Sequence, residues 1–396
     1  MNKIEGGLET VRGFRFSSIS CGIRYENRLD YTIIASDAPC NASAVFTKNK
    51  IYAAPVKICR ERISRPVNAI LINATNANAC TGDEGYSNAA ILTADIAAKL
   101  GTDKESILMA STGIIGRQLP LEKMLKSHDL LLKGLAREKG SSVAEAIMTT
   151  DTVPKARAAK FTCANREYTI AGVAKGSGMI APDMATLLSF IITDASVGKN
   201  DLDKIFKGAV DKTFNSITID GDTSTNDTAI ILSPVSDAPI TGGKDLQEFT
   251  EALEYILSEL AEMLMFDGEG VTKVVRVNVT GAADNREAVL IAKSVSNSLL
   301  VKTAIFGNDP NWGRIACAAG YSGAEVEESL LSIFIEDIAL FLKGKTEDVD
   351  YSIPSEILNR KSYNINIHIG IGKGEASILT SDLSYDYVRI NAEYST

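Results

Sequence analysis

The stretch from Lys175 to Asp194 joins two kinds of sequence at one threonine. Glycines and a proline make residues 175–185 turn-prone, and the run that follows Thr186 is apolar and rich in strand-forming residues. Ala185 precedes Thr186, and its small side chain leaves the carbonyl carbon uncrowded. A threonine placed there could attack the preceding peptide bond with its own hydroxyl and cut the chain. The same spacing also fits an ordinary turn between two strands, and spacing alone favours that simpler interpretation.

Such a cleavage would leave the free α-amine of Thr186 beside its own hydroxyl. An α-amine has a pKa of about 8 and can serve as the general base, so this nucleophile needs no histidine. The chain has only two histidines, His128 and His368. A histidine-based triad and most zinc sites are therefore disfavoured, whereas a self-activated threonine suits the composition.

Two further segments carry groups suited to acyl transfer. The tetrahedral intermediate of that reaction needs hydroxyl or backbone N–H donors placed in advance. In the segment 111–116, Thr112 can offer a hydroxyl and Gly113 an unobstructed N–H. Lys175 stands just before the glycine-rich turn, where its cation could face the same pocket as Thr186 and hold a substrate carboxylate.

The elements around these residues alternate between strands and helices, which predicts a layered α/β fold with mixed sheets. Short apolar runs predict strands at Tyr31–Ala35, Ala69–Asn73, Ile107–Ala110, Tyr168–Val173, Leu187–Thr193, Val274–Val279, Tyr363–Ile369 and Ala376–Leu379. Helical spacing predicts helices over Ser87–Leu100, Leu121–Ala136, Asp201–Phe214, Asp245–Phe266 and Glu325–Leu342.

Composition excludes several classes of function. The 396 residues carry a net charge of -9, which argues against nucleic acid or an anionic membrane as the main partner. No apolar window is long enough for a membrane span, and no secretory apolar region follows Lys3. Six scattered cysteines without a CxxC pair indicate reduced thiols. We therefore expect a cytoplasmic protein.

The segment Lys175-Gly-Ser-Gly-Met-Ile-Ala-Pro-Asp-Met-Ala-Thr186 resembles the autoprocessing motif of the ornithine acetyltransferases, the glutamate N-acetyltransferases of the cyclic arginine pathway (the ArgJ family). Further segments resemble the same family, in the family's order and from end to end of the chain. They are residues 73–82, 111–116, 149–152, 214–227, 267–270, 306–314 and 391–396.

The resemblance implies a helix–sheet–sheet–helix architecture of the self-cleaving, N-terminal-threonine hydrolase-like type. It implies cleavage between Ala185 and Thr186, which gives an α chain of residues 1–185 and a β chain of residues 186–396. Thr186 would then be the nucleophile that carries an acetyl group from N-acetylornithine to glutamate. Thr112 and Gly113 would form the oxyanion hole.

The resemblance also implies a set of substrate-binding residues, with Glu269 placed to hold the side-chain ammonium of ornithine. The set comprises Thr149, Lys175, Thr186, Glu269, Asn391 and Thr396. It implies no metal and no tightly bound cofactor, and a heterotetramer of two α and two β chains. Whether acetyl-CoA also serves as a donor is left open.

Other interpretations remain at this stage. A self-cleaving aminopeptidase of the same architecture would pass its acyl group to water. A non-catalytic nucleotide- or phosphate-binding protein would use the glycine-rich turns and keep an intact chain. A structural oligomer subunit would leave the Thr, Lys, Glu and Asn motifs without a role. The polar loop at residues 215–227 superficially resembles a calcium loop but lacks the bidentate glutamate of an EF-hand, so we expect a hydrogen-bonded loop near the site.

Overall fold

A computed structural model describes residues 1–181, 187–346 and 356–393. Its sixteen described strands are β1 Asn2–Ile4, β2 Phe14–Ile19, β3 Tyr31–Phe46, β4 Val67–Asn73, β5 Ile107–Ser111, β6 Lys155–Cys163, β7 Arg166–Lys175, β8 Leu188–Thr193, β9 Ile217–Thr218, β10 Thr228–Pro234, β11 Val274–Ala282, β12 Ser332–Ile335, β13 Ile338–Leu342, β14 Lys345–Thr346, β15 Ser362–His368 and β16 Gly374–Ser381.

The main described helices are α1 Ala54–Arg62, α2 Gly82–Leu100, α3 Leu121–Lys133, α4 Gly140–Ala146, α5 Lys199–Lys212, α6 Gly243–Phe266, α7 Asn285–Asn297, α8 Leu299–Phe306, α9 Trp312–Gly320 and α10 Tyr385–Glu393.

A nine-stranded mixed sheet in the order β1-β6-β7-β8-β10-β3-β4-β5, with β2 also paired to β3, forms the larger layer system. The long strand β3 belongs to two halves of this sheet. Its residues 31–36 pair with β2, its residues 31–35 and Cys40 pair with β4 across an irregularity, and its residues 40–46 pair with β10. Strand β3 therefore passes from one half of the sheet to the other.

The two halves pack against each other through their inner faces. Phe16 and Ile72 from one half share a buried apolar cluster with Phe190 and Ile230 from the other. Helices α5 and α6 cover the outer face of the β6–β10 half, and α2 and α3 cover the outer face of the β3–β5 half. The predicted helix–sheet–sheet–helix arrangement with mixed sheets is confirmed.

A seven-stranded mixed sheet in the order β14-β13-β12-β15-β11-β16-β9 forms a second layer system. Helices α7, α8 and α9 pack on one of its faces and close a second apolar core. Within the described residues, no single helix is long and apolar enough to cross a membrane. Helices α7 and α8 reach that length and apolar composition only when they are counted together, and they are bent by 57° relative to each other.

The prediction of a helix over Glu325–Leu342 is wrong. The segment instead holds β12 and β13, an antiparallel hairpin that turns at Glu336, whose φ is 49°. Ile333 and Ile335 point into the core from β12, and Leu340 and Phe341 are buried on β13. Two short alternating runs separated by a tight turn repeat apolar residues at intervals that also fit a helix, so periodicity alone misassigned them.

The other predicted elements exist with shifted ends. The helix predicted from Ser87 begins at Gly82, and the one predicted to Ala136 ends at Lys133. The predicted boundary between α and β chains, Ala185 and Thr186, lies outside the described residues.

Candidate active site

One cleft gathers residues that are far apart in sequence. It lies where the loops after β4 and β5 meet the end of β7 and the segment before β10, and the space between its walls, with the open solvent at its mouth included, is about 670 Å³. Its lining is mostly polar and small: Ala77, Thr112, Gly113, Ile115, Thr149, Thr150, Lys175, Ser177, Gly178, Met179, Ser224, Thr225, Asn226, Glu269 and Asn391. A concave site with several convergent polar groups is typical of small-molecule binding.

The cleft contains every predicted site residue that the structure describes. Thr112, Gly113, Thr149, Lys175, Glu269 and Asn391 all line it. The remaining predicted residues, Ala185, Thr186 and Thr396, lie outside the described part of the chain. Leu187, the neighbour of Thr186, is described: its N–H donates to Asp227 Oδ1 at 3.1 Å.

Two hydrogen-bond donors face the cleft at the end of β5. The Thr112 hydroxyl and the Gly113 N–H have no acceptor among the described residues, whereas the Thr112 N–H donates to the Asn73 carbonyl at 3.0 Å. Gly113 has a φ of 132°, and a Cβ there would lie 2.2 Å from the Thr75 carbonyl carbon. Only glycine fits this position, and the pair offers the donors that an oxyanion requires.

Asn226 fixes the loops that carry these donors. Its side-chain amide donates to the Ala77 carbonyl at 2.6 Å and to the Ser111 carbonyl at 2.8 Å. The Ser111 hydroxyl donates to Asn73 Oδ1 at 2.6 Å, which ties the ends of β4 and β5 together. The sequence predicts Asn226 in a polar loop near the site but indicates no role for it.

Lys175 is a buried cation at the end of β7, with 2% of its surface exposed. Burial lowers the pKa of Lys175, and the carboxyl groups of Asp151 and Asp227 oppose that shift. Burial would raise the pKa of Asp151, but the Lys175 and Lys155 ammonium groups hold it below its usual value. Lys175 Nζ lies 3.4 Å from Thr149 Oγ1, so its cation is presented at the cleft wall.

Asp227 is a second buried carboxyl near the cleft, and the sequence pattern indicates no role for it. Burial raises the pKa of Asp227 well above its usual value, against the opposing effects of the Leu187 N–H and the Lys175 cation. Its Oδ2 has no hydrogen-bond partner within the described residues. A carboxyl in this environment favours the protonated form.

Helix α10 brings Asn391 to the cleft, next to Glu269. Asn391 Nδ2 donates to Glu269 Oε2 at 3.0 Å, and the Glu269 N–H donates to the Ser177 carbonyl at 2.7 Å. The Tyr387 hydroxyl anchors the same helix to Asp220 Oδ2 at 3.1 Å. The cleft therefore carries a cation at one wall and a carboxylate at another.

Gly178 gives the Glu269 carboxylate its space, and we predict that Gly178→Ala displaces that carboxylate. A Cβ at Gly178 would lie 2.5 Å from Glu269 Oε2. Because the Glu269 side chain is flexible, the fold should survive, and a ligand ammonium bound by Glu269 should bind about tenfold more weakly or worse. Equilibrium binding of a ligand that carries an ammonium group measures the affinity, and a melting curve shows whether the variant is folded. Unchanged affinity in a folded variant would contradict the prediction.

The described residues contain no group of three or more His, Cys, Asp or Glu side chains arranged to hold a metal ion. The polar loop before β10 instead makes hydrogen bonds, as with Asn226 above.

Comparison with known proteins decides the family. A sequence model of the ArgJ family matches residues 15–396. The chain belongs to the ArgJ family. The resemblance described from the sequence motifs is thereby confirmed over almost the whole chain.

Relatives within the ArgJ family match this chain along their full length. The arginine biosynthesis bifunctional protein ArgJ of Geobacter sulfurreducens is 45% identical over 391 residues, which are 98% of this chain and 100% of that protein. The glutamate N-acetyltransferase of Methanosarcina mazei is 41% identical over 405 aligned residues, covering 100% of both chains. A crystal structure of the bifunctional ArgJ protein from Bacillus halodurans is 39% identical, with a TM-score of 0.49, and covers 52% of this chain and 98% of that chain.

Proposed function

We propose that this protein is an autoprocessed glutamate N-acetyltransferase of arginine biosynthesis, which moves the acetyl group of N-acetylornithine to glutamate through an acetyl ester of Thr186. Membership of the ArgJ family along nearly the full chain is the observation that carries this proposal. The clustering of Thr112, Gly113, Lys175 and Glu269 in one cleft supports it.

Maturation would proceed by attack of Thr186 Oγ1 on the Ala185 carbonyl carbon. The carbon–nitrogen bond between the two residues breaks as the acyl group moves to oxygen, and the nitrogen gains a proton to become a free amine. Water then hydrolyses the ester, which leaves a carboxylate on Ala185 and restores the Thr186 hydroxyl. The products are the α chain 1–185 and the β chain 186–396.

Turnover would use the same hydroxyl with its own α-amine as base. Thr186 Oγ1 attacks the acetyl carbonyl of N-acetylornithine, and Thr112 and Gly113 donate hydrogen bonds to the oxyanion. Ornithine leaves with the proton, and the amine of glutamate then attacks the acetyl ester. Two half-reactions through one covalent intermediate give ping-pong kinetics.

Substrate binding would divide between the two charged walls. Lys175 would hold the α-carboxylate, and Glu269 with Asn391 would hold the side-chain ammonium of ornithine. Thr149 and Thr396 complete the proposed set. The proposed reaction uses no metal and no bound cofactor. The proposal also includes a cytoplasmic location and a heterotetramer of two α and two β chains.

We predict that Glu269→Gln discriminates between the two amino-acid substrates. The amide keeps the size of the side chain but loses the charge that attracts the ornithine ammonium. The KM for N-acetylornithine, whose side-chain amine is free, should rise about tenfold or more, because a hydrogen bond to a charged group is worth about 1.5–3 kcal/mol. The KM for glutamate, which has a carboxylate at that end, should rise less or fall. Steady-state kinetics with each substrate varied in turn checks this; equal increases would contradict it.

An acetyl-transfer assay tests the function itself. Purified enzyme with N-acetylornithine and glutamate should form N-acetylglutamate and ornithine in equal amounts. The aminopeptidase alternative predicts that water takes the acyl group and that glutamate is not acetylated. The same assay with acetyl-CoA as donor shows whether the enzyme also makes N-acetylglutamate from that source.

A further inference from the structure

A chain of four buried charges lies behind the wall of the cleft. Lys155 on β6 is fully buried, and its ammonium lies 2.7 Å from Asp151 Oδ1 and 2.5 Å from Asp267 Oδ2. The negative charge of Asp151 also raises the pKa of Lys175. The charges therefore alternate from Lys175 through Asp151 and Lys155 to Asp267. Lys155 has no part in the proposed acetyl transfer.

The two carboxylates held by Lys155 each fix a wall of the cleft. Asp151 accepts the Thr149 N–H at 3.0 Å and the Gly176 N–H at 2.7 Å, which places Thr149 beside the end of β7. Asp267 accepts the Thr152 N–H at 3.0 Å. Asp267 also follows α6 and precedes Glu269 by two residues, so its position sets that of the Glu269 turn.

We propose that Lys155 is a positioning residue of the active site, which holds the Thr149 wall and the Glu269 wall at one spacing and leaves the Lys175 ammonium available to a substrate carboxylate. This inference rests on the proposed function, because it takes Lys175 and Glu269 as the groups that hold the amino-acid substrate.

Charge balance explains why the second lysine matters. A buried carboxylate is unfavourable without a compensating charge. With Lys155 present, the Asp151 carboxylate pairs with the Lys155 ammonium and also feels the charge of Lys175, and Asp267 pairs with Lys155. Without Lys155, Asp267 keeps its hydrogen bond from Thr152 but loses its cationic partner, and Lys175 is the cation left to compensate the charge of Asp151. An ammonium drawn fully to Asp151 has less attraction left for a ligand in the cleft.

The same arrangement predicts a pH signature. Burial lowers the pKa of Lys175; Asp151 and Asp227 raise it, the Lys155 ammonium lowers it further, and Glu269 raises it slightly. A carboxylate binds to the protonated amine, so binding weakens as the pH rises through this pKa. Removing Lys155 raises the pKa of Lys175 and shifts the loss of binding to higher pH. This shift reports the charge of Lys155, and a rise in KM without a matching fall in kcat separates positioning from a purely structural role.

Kinetics of Lys155→Met in the full chain test the proposal. We expect the KM for both N-acetylornithine and glutamate to rise about tenfold or more, with kcat changed less than about threefold, and the alkaline limb of kcat/KM to move to higher pH. Lys160→Met is the matched control, since Lys160 lies on the same strand and pairs at 2.7 Å with Glu167 at the surface. It should behave as wild type.

A second variant keeps the test decisive if Lys155→Met does not fold. Asp267→Asn keeps an acceptor oxygen for Thr152 but removes one negative charge, so that Asp151 is the carboxylate left to pair with Lys155. Its KM for N-acetylornithine should also rise, and its alkaline limb should move to lower pH, opposite to Lys155→Met. Wild-type KM values and an unmoved limb in either folded variant would overturn the proposal. A wild-type enzyme without acetyl transfer would instead refute the proposed function.

Discussion

Thr186→Ala is expected to give a single uncut chain of 396 residues with no acetyltransferase activity. The wild-type protein should separate on a denaturing gel into chains of 185 and 211 residues, corresponding to residues 1–185 and 186–396. Alanine removes the only atom proposed to attack the Ala185 carbonyl, and without cleavage the α-amine that would act as base stays locked in a peptide bond. Both functions should therefore fail together. Intact-mass spectrometry and the acetyl-transfer assay measure the two losses.

Thr186→Ser is the matched control, because it keeps the hydroxyl and loses only a methyl group. We expect it to cleave and to retain part of the activity. Two fragments from Thr186→Ala would show that another group cuts the chain, and wild-type turnover by that variant would exclude Thr186 as the nucleophile. Loss of cleavage in both variants, with their folds intact, would mean that the site depends on more than the hydroxyl.

The parts of the site that follow directly from local sequence were predictable. Thr112 and Gly113 stand immediately after an apolar run that forms β5, and Lys175 ends β7, so each is carried to the cleft by the strand before it. A glycine after a strand can adopt the positive φ that such a turn needs. The fold class followed in the same way from the alternation of strands and helices.

Contacts between distant segments were not predictable from pattern. Asn226 bonds to Ala77 and Ser111, which are 149 and 115 residues away, and Lys155 meets Asp267 across 112 residues. No periodicity records such pairs. The second half of β3 was missed for a related reason: the apolar run is interrupted at Ser36, Asp37 and Pro39, yet pairing with β10 keeps residues 40–46 extended.

Thr112→Val is expected to lower kcat by about 100- to 1,000-fold while leaving the protein folded and cleaved. Valine has almost the size of threonine, and the Thr112 hydroxyl makes no hydrogen bond to a described residue that the change would break. The Thr112 N–H bond to the Asn73 carbonyl, at 3.0 Å, does not involve the side chain and should survive. What disappears is one of the two proposed donors to the oxyanion, which would matter in the transition state and little in the ground state.

The pattern of constants separates this role from a structural one. KM for N-acetylornithine should change little, because the hydroxyl is proposed to strengthen its bond only as negative charge develops on the acetyl oxygen. Thr112→Ser should restore most of the rate, since it returns the hydroxyl. If cleavage at Ala185 also uses this donor, Thr112→Val should mature more slowly, and time-resolved intact mass during expression would record it. A Thr112→Val enzyme with wild-type kcat would remove Thr112 from the oxyanion hole and leave Gly113 as the donor that the cleft provides there.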